Sequence, residues 1–230
     1  MKIKNRFQKT QEYIEKWELE NNNKMVLDAG AGSRPYKKIF KKNQYISQDF
    51  GEYKGGGNTA YWDQEAEKRW QGENADILSD ITEIPLDQNT CDLIICTEVL
   101  EHVYNPVEAL KELTRLLRQD GNIVISVPYA CHYHQEPYFF NCGLSTHFFK
   151  KFAEENGLIV KLIDTEGDYV DFLSFENYVL QRMQKEKIKR VLMLPAIILS
   201  RYQKFIHRLI GLDQPKLHSG IFCVLGKGAR

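Results

Sequence analysis

The chain has 230 residues, 43% of them hydrophobic, and carries 31 basic and 31 acidic side chains for a formal net charge of zero. A globular domain takes roughly 100–200 residues, so this length fits one large domain whose core needs no covalent staples. With 27% charged and 12% aromatic residues, wholesale disorder and a uniformly cationic nucleic-acid binder are both disfavoured.

The five cysteines, Cys91, Cys96, Cys131, Cys142 and Cys223, are odd in number and form no CxxC pair. That argues against a disulfide framework and for a reducing, cytoplasmic setting. The opening MKIKNRFQKT runs into no apolar stretch of the kind a signal peptide requires. The longest apolar run, Val191 to Leu199, is nine residues, short of the roughly 20 that span a bilayer.

Residues 5–20 read as an amphipathic helix with Phe7, Ile14 and Trp17 near one face. MVLDAGAG, residues 25–32, is a short apolar strand running into a glycine turn, and PYKKIF can start a helix with Pro35 in its first turn. A second strand at Tyr45–Ile46 leads to Asp49, and residues 51–74 read as a loop insertion. CDLIIC, residues 91–96, has the continuous apolar character of a strand buried on both faces. A helix follows, with Asn105 as N-cap, Pro106 at its first position, Glu108 as capping-box partner and Gly121 ending it. NIVISVP, 122–128, is the next strand. Residues 145–156 form a helix bearing Phe148, Phe149 and Phe152, LIVKLID, 158–164, is another strand, residues 172–210 are helical with an interruption at Pro195, and IFCVLGKG, 221–228, is a final strand. Alternating strands and helices predict an α/β, Rossmann-like, doubly wound sheet. One domain over 1–230 is expected, with its core at about 24–165 and 220–228 and a helical insertion at about 172–212.

Asp28-Ala29-Gly30-Ala31-Gly32-Ser33 is the stretch richest in chemistry. Two glycines one residue apart after a strand let the backbone approach a nucleotide-like ligand. Asp49, at the end of the second strand, can accept both hydroxyls of a ribose. A dinucleotide loop needs a third glycine in GxGxxG, where Pro35 stands, and Asp28 would repel a pyrophosphate while suiting an ammonium. A cationic cofactor is favoured over a nicotinamide dinucleotide; an oxidoreductase and a non-catalytic module that keeps the pocket stay open as alternatives.

The chain here resembles the class I S-adenosylmethionine-dependent methyltransferases of type 11 over roughly residues 24–165. The stretches that carry the likeness are VLDAGAGSRPY, YISQDF, ADILSDITEIPL and DLIICTEVLEHVYNPVEALKELTRLLRQDGNIVISVP. The resemblance implies a seven-stranded sheet with an antiparallel last strand and S-adenosylmethionine as cofactor, S-adenosylhomocysteine being the product. It also implies that Gly30 and Gly32, with Asp28 and Ala29, line the methionine part. Asp49 would hold the ribose, Asp80 and Ile81 flank the adenine, and Thr97 sit beside the cofactor. Arg34 and Pro35 in the loop and the long segment after Asp49 depart from the family pattern at the pocket's outer wall.

Methyl transfer from a sulfonium needs alignment and at most a general base. His102, just past the fourth strand, is one candidate base and His134 another; the plain alternative for His102 and Glu101 is that they position the loop. Glu136 and Tyr138 are candidate acceptor contacts in the histidine- and aromatic-rich loop after the fifth strand. Cys131, His132, His134, Cys142 and His147 offer metal ligands, but their spacing matches no regular zinc pattern, so no metal is expected. SVPY, 126–129, stands after the wrong strand to hold a flipped base. The acceptor expected is a small or glycan-like molecule methylated at oxygen, with no nucleic acid.

The zero net charge is a cancellation: 11 basic against 5 acidic side chains over 1–44, 9 against 24 over 45–180, and 11 against 2 over 181–230. Arg182, Lys185, Lys187, Lys189, Arg190, Arg201, Lys204 and Arg208 face Glu186 alone in the helical segment. A helical cap over the core is the favoured reading; a peripheral membrane or anionic-ligand contact through 181–210 is the other.

Overall fold

The computed structural model describes residues 5–54, 71–184, 186–211 and 217–228. Helix α1 (Arg6–Glu20) starts at a capping box, Asn5 accepting from the Gln8 N–H while Gln8 accepts from that of Asn5. Thr10, Ile14 and Trp17, at helical spacing, form its buried stripe. Phe7 is 47% exposed, so it lies off the stripe on which the sequence placed it.

The strands are β1 (Met25–Ala29), β2 (Gln44–Asp49), β3 (Ile77–Leu78), β4 (Cys91–Thr97), β5 (Leu117–Pro128), β6 (Leu158–Glu166) and β7 (Gly220–Lys227). They form one seven-stranded sheet in the order β3-β2-β1-β4-β5-β7-β6. β7 pairs antiparallel with both β5 and β6, while the other neighbours run parallel. Six strands therefore point one way and their carboxyl ends share one edge. That edge is where open α/β sheets bind ligands.

Successive residues of β4 serve both layers. Leu93 and Ile95 join Ile14, Trp17, Tyr36 and Phe40 on the α1 face. Ile94 and Cys96 join helices α2 (Pro106–Leu116) and α3 (Thr146–Glu155) on the other, through Leu110, Leu113, Phe149 and Phe152. This is the period-two alternation of a strand buried on both faces. All five cysteines are free thiols.

Local chemistry differs from the sequence expectation at three places. No α-helix follows the glycine loop; residues 34–39 form successive turns, Arg34 N–H to Ala31 O, Lys37 to Arg34 and Ile39 to Tyr36. Pro35 has no N–H to extend a helical ladder, and Tyr36 and Phe40 anchor the short segment to the core. Gly121 does not end α2; that helix stops at Leu116, and Gly121 sits inside β5, packed against Leu117 and the Asp92 carbonyl. At the start of α2, Asn105 accepts the Glu108 N–H, but the Glu108 carboxylate pairs with Lys111.

Between β6 and β7 lie α4 (Tyr169–Met183), α5 (Lys187–Leu192) and α6 (Leu194–Ile210). Pro195 falls in the first turn of α6, where its missing N–H costs nothing. No described helix is long and apolar enough to cross a membrane. Most of the insertion after Asp49, residues 55–70, lies outside the described residues.

Candidate functional site at the carboxyl edge

The loop after β1 is held by its own chain. Gly30, at φ +72°, donates its N–H to the Gln48 carbonyl (2.9 Å) and side-chain oxygen (3.3 Å), and Ala31 donates to the same carbonyl (3.0 Å). A Cβ on Gly30 would overlap Val99 Cγ2. Glycine is therefore required there twice, by backbone and by packing. Gln48 passes the linkage on, its amide donating to the Ser79 carbonyl at 2.7 Å.

Asp49 takes the next N–H group, that of Gly32, on Oδ2 at 2.8 Å and the Gly51 N–H on Oδ1 at 2.9 Å. Each carboxylate oxygen keeps a further lone pair, enough to accept the two hydroxyls of a ribose. Gly72 lies against this carboxylate so closely that a Cβ would overlap it. The chain thus returns to Asp49 after the insertion.

Asp28 is buried below the loop, with the Tyr45 hydroxyl donating to it at 2.5 Å. Burial pushes its carboxyl up to about 7, against the pull of the Tyr45 bond and aided by the charge of Asp49. Ala29 is buried in the core. Thr97, ending β4, shares a hydrogen bond with Tyr36, whose phenol burial pushes up to about 12. Asp80 is exposed and caps its own turn through the Thr82 N–H and hydroxyl, and Ile81 is buried in the core.

The same edge carries a second group of polar side chains. Glu98, at φ +55°, accepts from Arg6 Nε at 2.8 Å and from one of its two terminal arms, Nη2, at 2.6 Å, together with the Ser126 hydroxyl at 2.8 Å. The remaining arm of Arg6 reaches Glu166 at 2.7 Å. The start of α1 is thereby bolted to the ends of β4 and β6.

A short 3-10 helix, Leu100–His102, follows. Its Glu101 carbonyl accepts the N–H groups of Phe140 and Asn141, which fixes the loop after β5 to it. The Glu101 side chain is 2% exposed, and its Oε2 has no hydrogen-bond partner. Burial and the nearby Glu98 hold its carboxyl well above the usual range.

His102 Nδ1 lies 2.6 Å from the Tyr138 carbonyl. A carbonyl only accepts, so Nδ1 carries the proton and Nε2 the lone pair. That Nε2 is buried and makes no hydrogen bond, the Glu101 Oε1 lying 3.9 Å away. Burial, then the neighbouring His134, push the imidazole down to about 4, so it is neutral near pH 7. His134 Nδ1 lies 2.7 Å from the His132 carbonyl and is in the same tautomer, and the two rings stand edge to face at 4.8 Å. His132 in turn meets Glu176 of α4 at 2.9 Å.

Of the residues singled out from sequence, the fold brings His102 and His134 together. Tyr138 contributes its carbonyl to His102, and its ring meets Phe50 at 5.2 Å. That contact carries the loop after β5 across β4 and β1 to the end of β2. Glu136 is exposed on the same loop. Among the described residues Cys131, Cys142 and His147 join no ligand cluster; the group that forms is Glu101, His102 and His134. Arg6, Glu98, Gln48 and Gly72 were not singled out. Glu98 and Glu101 had a signal in TEVLEHV, whereas nothing local ties Arg6 to a residue 92 positions away.

Residues 27–125 match the family model described as a methyltransferase domain. An uncharacterised protein of Methanocaldococcus jannaschii is 33% identical over 105 residues, 45% of this chain and 40% of its own length. The chain thus matches less than half of that relative. A protein of Galdieria sulphuraria assigned as a sarcosine dimethylglycine methyltransferase superposes with a TM-score of 0.58 at 14% identity, over 96% of this chain and 86% of that one. The [4+2]-cyclase SpnF superposes with a TM-score of 0.57 at 12% identity, over 96% and 82%. At such identities the structural likeness establishes the fold, and the family model carries the assignment. The family implies S-adenosylmethionine as methyl donor, and the donor set described above fits such a molecule: spare lone pairs on Asp49 for a ribose and loop N–H groups committed internally. Residues 27–125 therefore form a methyltransferase-like domain similar to type 11.

Proposed function

We propose that the protein transfers a methyl group from S-adenosylmethionine to an oxygen of a small-molecule or glycan-like acceptor. The observation that carries this reading is the pairing at one sheet edge of the Asp49 carboxylate, with lone pairs to spare, and the Glu101–His102–His134 cluster. The three N–H groups of Gly30, Ala31 and Gly32 are consumed within the chain. A pyrophosphate would need those donors, so a nicotinamide dinucleotide is disfavoured.

Bound S-adenosylmethionine supplies a methyl carbon already activated by its sulfonium. The chain supplies alignment. Asp49 holds the ribose, Gly30 and Gly32 let the backbone approach the methionine part beside Asp28 and Ala29, Asp80 and Ile81 flank the adenine, and Thr97 closes the side toward β4. The loop carrying Glu136 and Tyr138 covers the acceptor. With the donor held there, its sulfonium would serve as leaving group for the methyl, and the His102–His134 cluster would take up the proton of the acceptor hydroxyl.

Thermal melting with S-adenosylhomocysteine tests the reading. At about 100 times its dissociation constant a ligand stabilises the fold by roughly 2.7 kcal/mol. Wild type is expected to shift with S-adenosylhomocysteine and not with NADH, and Asp49→Ala is expected to lose the shift. A shift with NADH alone overturns the assignment.

A separate observation bears on partners. On α6, Leu194, Ile198, Tyr202, Phe205 and Leu209 recur at helical spacing and are 44–68% exposed, while Ser200 is the buried residue of the helix. The apolar stripe therefore faces away from the protein, contrary to a cap with its apolar side on the core. Arg201 and Arg208 border it, and Lys187, Lys189 and Arg190 lie just upstream. We infer that this segment rests on an anionic membrane surface, apolar side chains in the interface and arginines at the headgroups. Co-sedimentation with vesicles containing phosphatidylserine, reduced at high salt, is the expected result; no binding at low salt overturns it.

A further inference from the structure

Glu101, His102 and His134 each offer one ligand atom, and these atoms lie within 4.8 Å of one another. We propose that the three residues form a binding site for a divalent first-row transition cation, such as manganese or zinc, at the acceptor end of the site. The mechanistic role given to the cation rests on the methyltransferase reading above; the binding itself does not.

Three observations converge. The first is orientation: His102 and His134 each direct Nδ1 at a backbone carbonyl, that of Tyr138 and of His132. Metal-bound histidines are held this way, because the outer hydrogen bond fixes the tautomer and leaves Nε2 as donor. The second is lack of satisfaction: Glu101 Oε2 and His102 Nε2 are buried and make no hydrogen bond. Native interiors avoid such orphans unless an ion, a water or a substrate completes them. The third is size. Three atoms no more than 4.8 Å apart leave a cation at their centre at most roughly 2.8 Å from each, and side-chain rotations of under about 1 Å reach the 2.0–2.2 Å of imidazole and carboxylate ligation.

The surroundings suit a cation and keep the site open. Glu98 lies beside the cluster, but both its oxygens are engaged by Arg6, one of them also by Ser126. Its charge adds to the field without closing the coordination sphere. Two imidazoles and one carboxylate leave positions for water or an acceptor oxygen and favour first-row transition ions over magnesium or calcium. The scaffold is rigid, since Phe140 and Asn141 bind the Glu101 carbonyl and the Asn141 amide donates to the Val103 carbonyl at 2.9 Å.

The sequence hides this site because its ligands come from two loops. Glu101 and His102 follow β4 and His134 follows β5, so no short spacing announces them. With the cation present, the acceptor hydroxyl gains a Lewis-acid partner and loses its proton to water more readily. The cluster then acts through the ion and not as a free imidazole base.

The test uses the whole chain, freed of metal by dialysis against chelator. Binding of Mn2+ is followed by loss of the free-ion electron paramagnetic resonance signal, with Zn2+ and Mg2+ as competitors. Wild type is expected to bind one equivalent, displaced by Zn2+ and not by Mg2+ at equal concentration. Glu101→Gln and His134→Ala are each expected to weaken binding by at least about tenfold, the lower end of the effect seen for losses around metal sites. The S-adenosylhomocysteine melting shift is measured in parallel, with and without chelator. Its retention in the variants shows that they are folded with the donor site intact. No Mn2+ binding by wild type, or unchanged binding by both variants, overturns the metal site. Mn2+ binding without any S-adenosylhomocysteine shift leaves the metal site standing and removes the methyltransferase reading instead.

Discussion

At the carboxyl edge of the sheet, polar groups from distant parts of the chain satisfy one another: Gly32 with Asp49, Arg6 with Glu98 and Glu166, the Tyr138 carbonyl with His102. On α5 and α6 the reverse holds, and large apolar side chains such as Ile188, Leu192, Ile198 and Phe205 stand 60–72% exposed. Polar contacts hold α6 to α4, with Ser174 bonded to the Ser200 carbonyl and Lys204 and His207 paired with Asp171 and Asp168. The first region spends its side chains on fixing a shape. The second leaves a surface, and this difference predicts where substitutions will be felt.

The largest effect is expected at the glycine loop. Gly30→Ala must hold a side chain at φ +72° and push Val99 aside. Each of those costs on the order of 1–2 kcal/mol, about 3 kcal/mol together. Urea unfolding should show the loss. Val99→Ala in the same background should recover the steric part and leave the backbone part. A loss below about 1 kcal/mol would mean that the loop is not locked as described.

Arg6→Ala comes next. It removes the guanidinium from Glu98 and Glu166, which are about three-quarters buried, and leaves Glu98 only the Ser126 hydroxyl. Breaking a fully buried pair costs roughly 3–5 kcal/mol, and at this partial exposure about 2 kcal/mol is expected. Glu98→Gln added to Arg6→Ala should restore part of it, because a neutral amide tolerates the lost guanidinium. Additive losses would show that Arg6 acts on packing alone.

The sheet was legible because its central strands are short apolar runs bounded by turn residues, and MVLDA and CDLIIC need only period and burial to be recognised. The glycine loop and Asp49 were legible for the same local reason, each sitting at the end of such a run. The turns at 34–39 were not, since PYKKIF has helical composition and only its anchoring through Tyr36 and Phe40 stops it short. Nor was the ligand cluster: parallel pairing of β4 with β5 brings residues 101, 102 and 134 together, and spacing rules for metals read one loop at a time. For α6 the stripe was visible at helical period. Which side the fold would cover was not, because the same pattern serves a core cap and a membrane-surface helix.

The smallest effect on stability is therefore expected where the exposed apolar side chains are largest. Ile198→Glu with Phe205→Glu removes two members of the α6 stripe, 66% and 60% exposed. Neither leaves a cavity or buries a charge, so unfolding free energy should stay within about 0.5 kcal/mol of wild type. Association with phosphatidylserine vesicles, by contrast, should fall to background, since the two carboxylates would have to enter the interface and oppose the anionic headgroups. If the pair instead destabilises the fold by several kcal/mol, the stripe is packed against the protein in solution, and the contrast with the carboxyl edge disappears. Unchanged stability together with unchanged vesicle binding would assign the membrane contact to the basic residues upstream, Lys187, Lys189 and Arg190, without the apolar face.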